Sequence, residues 1–115
     1  MDHDGQCVFC RIAGGELPAA KVYEDERTLV FRDINPAAPT HLLVIPKRHV
    51  PRLSACGDGE RELLADVMTT ASKAAKLEGL DSFRLIINDG AGAGQTVFHL
   101  HAHVLGGAEM GERLL

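Results

Sequence analysis

Three imidazoles occupy alternate positions late in the chain, in the run Phe98-His99-Leu100-His101-Ala102-His103-Val104-Leu105. Strand side chains alternate faces, so His99, His101 and His103 share one face. Phe98, Leu100, Ala102 and Val104 share the other, an apolar face suited to a core. Imidazole is the side chain best able to act as nucleophile, acid–base group or metal ligand near neutral pH. Three of them buried without partners would cost free energy, and three protonated together would repel. The readings are a nucleophilic site, a His-X-His metal site of the cupin kind, or a histidine-rich solvent face. No glutamate or fourth histidine stands at cupin spacing. Immediately upstream lie Gly90, Gly92 and Gly94, then Gln95 and Thr96. Glycines let backbone amides approach an anion, and Gln95 and Thr96 add donors. Alone such a loop is as well explained as a turn; beside clustered histidines it suggests phosphate chemistry. A second constellation, Cys7-X-X-Cys10, suits half of a tetrahedral zinc site. A redox pair or two buried thiols are the alternatives.

The elements that must position these groups follow from pattern. Alternating or β-branched runs predict strands over 21–25, 28–34, 41–45, 83–88 and 97–105. Asn35-Pro36-Ala37-Ala38-Pro39 must be a loop, because two prolines break a ladder. A helix is predicted from Asp58, with Leu63, Leu64, Val67, Met68, Ala71 and Ala75 on one stripe. Asp58 is the expected cap, and Gly79 the expected stop. Residues 6–17 read as a knuckle or short helical turn. Short strands joined by turns, with one helix between them, predict an α+β domain on an antiparallel sheet.

The 115 residues suit one domain, spanning 1–115. At 45% hydrophobic and 24% charged, the chain has a soluble protein's composition. A formal charge of −4 argues against a nucleic-acid partner, although Lys47-Arg48 is one candidate for a local basic patch. No run reaches the roughly 18–20 apolar residues of a membrane span. No signal peptide is recognisable, so the expected compartment is the cytoplasm, where cysteines are thiols or metal ligands.

Residues 94–107, which contain the three histidines, resemble the signature of the histidine triad (HIT) superfamily. Residues 33–49, from Asp33 through Pro36, His41 and Pro46 to His49, resemble the nucleoside-binding half of its Hint branch, and Asn88-Asp89-Gly90 fits as well. The resemblance implies a five-stranded antiparallel sheet, one long helix, a short N-terminal helix or zinc knuckle, and a homodimer. It implies a nucleotide hydrolase or transferase acting on purine nucleoside phosphoramidates or acyl adenylates and releasing AMP or GMP. His101 would be the nucleophile at the α-phosphorus, forming a nucleotidyl-histidine. His103, Thr96, Asn88, Gly94 and Gln95 would hold phosphate oxygens. Asp33 would bind the ribose, and Phe31 and Ile34 would border the base. His41 and His99 complete the catalytic set, His41 as proton relay. Zinc-containing members imply His49 and His99 as the partners of Cys7 and Cys10; a His99 that binds zinc leaves the relay to His41. The zinc would be structural, with no cofactor needed for the chemistry. A dinucleoside polyphosphate hydrolase and an AMP-binding regulatory protein with little turnover are the alternatives. Several residues have plainer readings: Asp33 an Asx turn, Thr96 and Asn88 loop fixation, Phe31 and Ile34 core packing. Residues 108–115 depart from the animal Hint proteins, whose aromatic, proline-containing tail helps to define the leaving-group side.

Overall fold

A computed structural model describes residues 3–113. Five antiparallel strands form its sheet: β1 (Lys21–Glu24), β2 (Thr28–Arg32), β3 (Thr40–Pro46), β4 (Phe83–Ile86) and β5 (Ala102–Gly106). Their order is β1-β2-β3-β5-β4, so the late strand β5 is inserted beside β3. This crossover makes β5, which carries His103, an interior strand rather than an edge.

Register explains the two faces. Val30 pairs with Val44, Val44 with Ala102, and Leu42 with Val104. These residues form one face and pack under helix α2 (Arg61–Leu77), which presents Val67, Thr70, Ala71, Ala74 and Ala75. Three of those five are alanines, which lets the helix approach the sheet closely. Leu42, Val44 and Val104 are fully buried, and each such side chain contributes about 1.5–3 kcal/mol of burial free energy. One residue along each strand, Leu29, Phe31, Leu43 and Ile45 line the opposite face with Phe9 and Ile12 of the short helix α1 (Val8–Ala13). His103 pairs with Leu43, and His41 lies two residues before Leu43 on β3, so both imidazoles project on this second face.

The predicted elements all occur, with several shorter than their patterns suggested. β2 stops at Arg32, because Asp33 begins a turn in which its Oδ1 accepts from the Asn35 N–H at 2.8 Å. β4 stops at Ile86. The largest correction concerns 97–105. Only Ala102 onward pairs as a strand, and residues 97–99 bend. Phe98 therefore leaves the apolar face assigned to it and is 43% exposed, while Leu100, Ala102 and Val104 are buried as expected. The long helix begins at Arg61, preceded by a 3-10 turn over Asp58–Glu60. Asp58 does not cap it and instead pairs with Arg61, and Glu60 accepts from the Gly57 N–H at 2.8 Å. Met68, expected on the buried stripe, is 42% exposed, and Thr70 takes a buried place instead, its hydroxyl 2.9 Å from that of Thr28. Among the described residues, no helix is long and apolar enough to cross a membrane.

Candidate active site and metal centre

Because α1 is only six residues long, the second face of the sheet is incompletely covered. The gap is a cleft of about 530 Å³. Phe31 and Leu43 line it from the sheet, together with Asp33, Ile34, Asn35, Thr96, Val97, His101 and His103. Phe31 is buried against Phe9, ring edge to ring face at 5.4 Å between centroids, so it is both core and cleft lining. Ile34 is 92% exposed, which removes the core reading and leaves an apolar side chain at the rim.

The histidines are oriented by a chain of hydrogen bonds that fixes where each proton sits. His101 Nδ1 lies 2.8 Å from the carbonyl oxygen of His99. A carbonyl only accepts, so Nδ1 carries the proton and Nε2 keeps its lone pair. Phe9 packs edge-on against the His101 ring at 5.1 Å and holds its plane. The Ala37 N–H donates to His41 Nδ1 at 3.0 Å, which puts the His41 proton on Nε2. That Nε2–H lies 2.9 Å from His103 Nδ1, against 3.4 Å from Asp33 Oδ2, and donates to the nearer acceptor. His103 is thereby left with its own proton on Nε2. Burial, reinforced by the neighbouring His101 and His41, pushes the His103 imidazole down to about 4. It is a neutral donor at physiological pH. Its ring centroid is 5.1 Å from that of His101. The wall thus offers a bare imidazole nitrogen beside an N–H donor, the pairing needed to attack an electrophile while binding its anionic oxygen.

His99 does not face this cleft. It is wholly buried, and its Nε2–H donates to the Pro46 carbonyl at 2.7 Å. Its Nδ1 lone pair points at the Cys7-X-X-Cys10 turn, 3.4 Å from Cys7 Sγ, 3.5 Å from Cys10 Sγ and 3.3 Å from His49 Nδ1. His49 Nδ1 is 3.4 Å from Cys10 Sγ. Zinc with ligands at about 2.3 Å to sulfur and about 2.0–2.1 Å to nitrogen needs tetrahedral edges of about 3.3 Å between nitrogens and about 3.5 Å between nitrogen and sulfur. The observed separations have those lengths. Amides of Asp4 and Cys10 donate to the sulfurs of Cys10 and Cys7, at 3.3 and 3.4 Å. The Pro46 carbonyl fixes the His99 tautomer as an outer-sphere partner does. Burial holds the His99 imidazole down at about 4, so it keeps a free lone pair. The donor set fits zinc. Of the expected catalytic set, His99 stands apart from the cleft: its ring lies in the Cys/His cluster, and its backbone carbonyl accepts from His101 Nδ1–H.

The phosphate-holding residues divide. Thr96 and His103 line the cleft, whereas Asn88, Gly94 and Gln95 do not. Gln95 is buried and its amide is committed: Oε1 accepts from the Gly90 N–H at 2.8 Å, and Nε2 donates to the carbonyls of Pro51 and Val97 at 2.9 and 3.0 Å. Asn88 Nδ2 donates to the Ala93 carbonyl at 2.8 Å. The amides of Ala93, Gly94 and Gln95 turn back onto the carbonyls of Gly90 and Ala91. Those three amides are therefore not an anion cradle. Asp33 closes the Asx turn, lines the cleft and lies 3.4 Å from His41. Lys47 pairs with Glu24 at 2.8 Å and Arg48 with Glu60 at 3.5 Å, which neutralises the candidate basic patch. Sequence reading missed Phe9 as the residue that packs on His101; its spacing two residues after Cys7 carries no such signal.

A five-stranded antiparallel sheet presenting imidazoles at a cleft on one face defines a histidine-triad hydrolase fold. The chain belongs to the HIT family: the HIT domain model of that family matches residues 14–110. Protein HitA of Neisseria gonorrhoeae is 50% identical over 101 residues, covering 87% of this chain and 94% of that protein. A HIT family hydrolase from Clostridium thermocellum superposes with a TM-score of 0.95 at 46% identity, covering 97% of this chain and 99% of that one. A zinc-bound histidine triad protein from Mycobacterium smegmatis superposes with a TM-score of 0.75 at 40% identity, covering 95% and 79%.

Proposed function

We propose that the protein hydrolyses purine nucleoside phosphoramidates or acyl adenylates at the α-phosphorus, through a nucleotide bonded to His101, releasing AMP or GMP. The observation that carries this reading is the bond from His101 Nδ1–H to the His99 carbonyl, which leaves Nε2 as a bare nucleophile beside the His103 donor. His101 Nε2 forms a bond to phosphorus as the bond from phosphorus to nitrogen, or to the acyl oxygen, breaks. The positive charge gained by the imidazole is shared with the His99 carbonyl through Nδ1–H. An amine leaving group takes up one proton, and the water that cleaves the intermediate gives one back. The neutral His103, hydrogen-bonded to His41, acts as a donor to the phosphate, and the proton is exchanged with solvent in the cleft. Thr96 and His103 hold the phosphate oxygens, Asp33 the ribose hydroxyls, and Phe31 and Ile34 the base. The apolar floor and exposed Ile34 suit a flat heterocycle.

Zinc on Cys7, Cys10, His49 and His99 would act as a cross-link between the N-terminal turn, the end of β3 and the histidine segment. The bonds of the reaction are made by this chain's own side chains. Reduced, metal-binding cysteines suit a cytoplasmic setting. The homodimer that HIT proteins form would use α2 and the edge strand β4, on which Phe83 is 42% exposed.

Turnover of an adenosine phosphoramidate by the wild-type protein and by His101→Ala tests the reading. The wild type is expected to release AMP and, on rapid quenching, to carry a nucleotide label that the variant lacks. Equal turnover by the two proteins would remove His101 from the mechanism.

A further inference from the structure

The histidine segment is held in register by a partner that belongs to no strand. Beyond the end of β3 the chain runs back alongside residues 100 to 89 and bonds to them in reverse order. The Val50 carbonyl accepts from the Leu100 N–H at 2.7 Å. The Pro51 carbonyl accepts from Gln95 Nε2 at 2.9 Å. Arg52 then completes the series with a two-pronged grip on Asp89, Nε to Oδ1 and Nη2 to Oδ2, both at 3.1 Å. The Ser54 N–H joins Asp89 Oδ1 at 3.0 Å. Gly90 is built around the same guanidinium. A Cβ there would come within 2.6 Å of Arg52 Nη2, and the residue's φ of +96° already disfavours any side chain.

We infer that Arg52, through Asp89, is a positioning residue for hydrolysis: it anchors the start of the 88–95 loop and so sets where Thr96 and His101 stand in the cleft. The inference rests on the hydrolase reading. The pair's side chains are 40% and 31% exposed, so screening by water limits what it adds to folding. A planar two-pronged contact fixes orientation as well as distance, which a lysine at 52 would not. Displacements of about 1 Å at a reacting centre cost up to about 100-fold in rate.

The test uses zinc-loaded wild type, Arg52→Gln, Asp89→Asn, the double variant and Arg52→Lys, assayed on an adenosine phosphoramidate. Each single neutral variant is expected to lose about 10-fold in kcat with KM within about threefold. The double variant is expected to be no slower than the singles, since one contact is lost in all three. Arg52→Lys should fall between the singles and the wild type. Melting temperature and zinc content should be unchanged, while amide hydrogen exchange over residues 91–96 quickens. A kcat within twofold of wild type, losses that multiply in the double variant, or a loss that follows zinc content would overturn the inference. If the wild type itself does not turn over, the hydrolase reading fails separately. Exchange then decides: faster exchange over 91–96 in Arg52→Gln upholds the anchoring, and unchanged exchange overturns it.

Discussion

The proton arrangement around His103 makes a quantitative prediction for His41. The ring of His41 is 8% exposed and makes two bonds, accepting from the Ala37 N–H at 3.0 Å and lying 2.9 Å from His103 Nδ1. His41→Ala leaves one donor and one acceptor without partners, at about 1–3 kcal/mol each when buried. The cavity adjoins the cleft, so water can enter and satisfy part of the loss. The expected destabilisation is therefore about 2–3 kcal/mol, at the low end of the sum. The effect on rate comes from the tautomer. The His41 bond is what favours the His103 form with its proton on Nε2, and one neutral hydrogen bond of about 1–1.5 kcal/mol corresponds to about a 5- to 10-fold bias. Accordingly kcat on a phosphoramidate should fall about 5- to 10-fold in His41→Ala while KM changes little. His41→Gln can both accept from Ala37 and donate to His103, so it should recover most of the loss. Steady-state kinetics paired with nitrogen-15 imidazole spectra would decide. A His41→Ala protein within twofold of wild type, or a wild-type spectrum with the His103 proton on Nδ1, would refute the reasoning.

Three other outcomes are expected. The folded His103 sits at about 4 against an ordinary 6.5, so the unfolded chain binds more protons between those values. Its contribution to stability is whole above about 6.5 and is lost as pH falls toward about 4, which denaturant midpoints taken at pH 7 and pH 4.5 would reveal as a drop at the lower pH. Removing zinc by chelation, or substituting Cys10→Ser, should lower stability by about 3 kcal/mol, about 10 °C in melting temperature for a chain of this size. Metal analysis with thermal melting checks this, and an unchanged melt after complete metal removal would count against a structural role. Gly106→Ala in β5 places a Cβ within 2.8 Å of Leu80 in the connection after α2. It should destabilise by about 1–3 kcal/mol, readable in urea unfolding.

Much of the site could be read from local pattern. Period two placed His101 and His103 on one face, and the fold keeps them there because Ala102 between them and Val104 after them are bound into the α2 core. The same rule failed at Phe98, where the chain bends before the ladder starts, since pairing depends on where β3 and β4 end rather than on the segment's own alternation. The Cys/His cluster was legible only through a family resemblance, because 39 residues separate Cys10 from His49 and 50 separate His49 from His99. Gln95 illustrates the limit of reading by residue type. A donor beside a glycine loop suits an anion, yet its amide is saturated by Gly90, Pro51 and Val97. The Arg52–Asp89 contact carries no sequence signal, since nothing local couples residues 37 positions apart.

The brevity of α1 has a consequence for how such a molecule can change its diet. At about 1.5 Å per residue, a six-residue helix roofs only about 9 Å of the sheet, and the uncovered remainder is the cavity itself. Its capacity is thus governed by a roof and eaves, residues 8–20, that are separate from the strands supplying the reactive groups. Trimming or extending residues 14–20, beyond Phe9 and Cys10, would resize the chamber while the packing on the imidazoles stays in place, so substrate range and chemical power can diverge independently in one small scaffold.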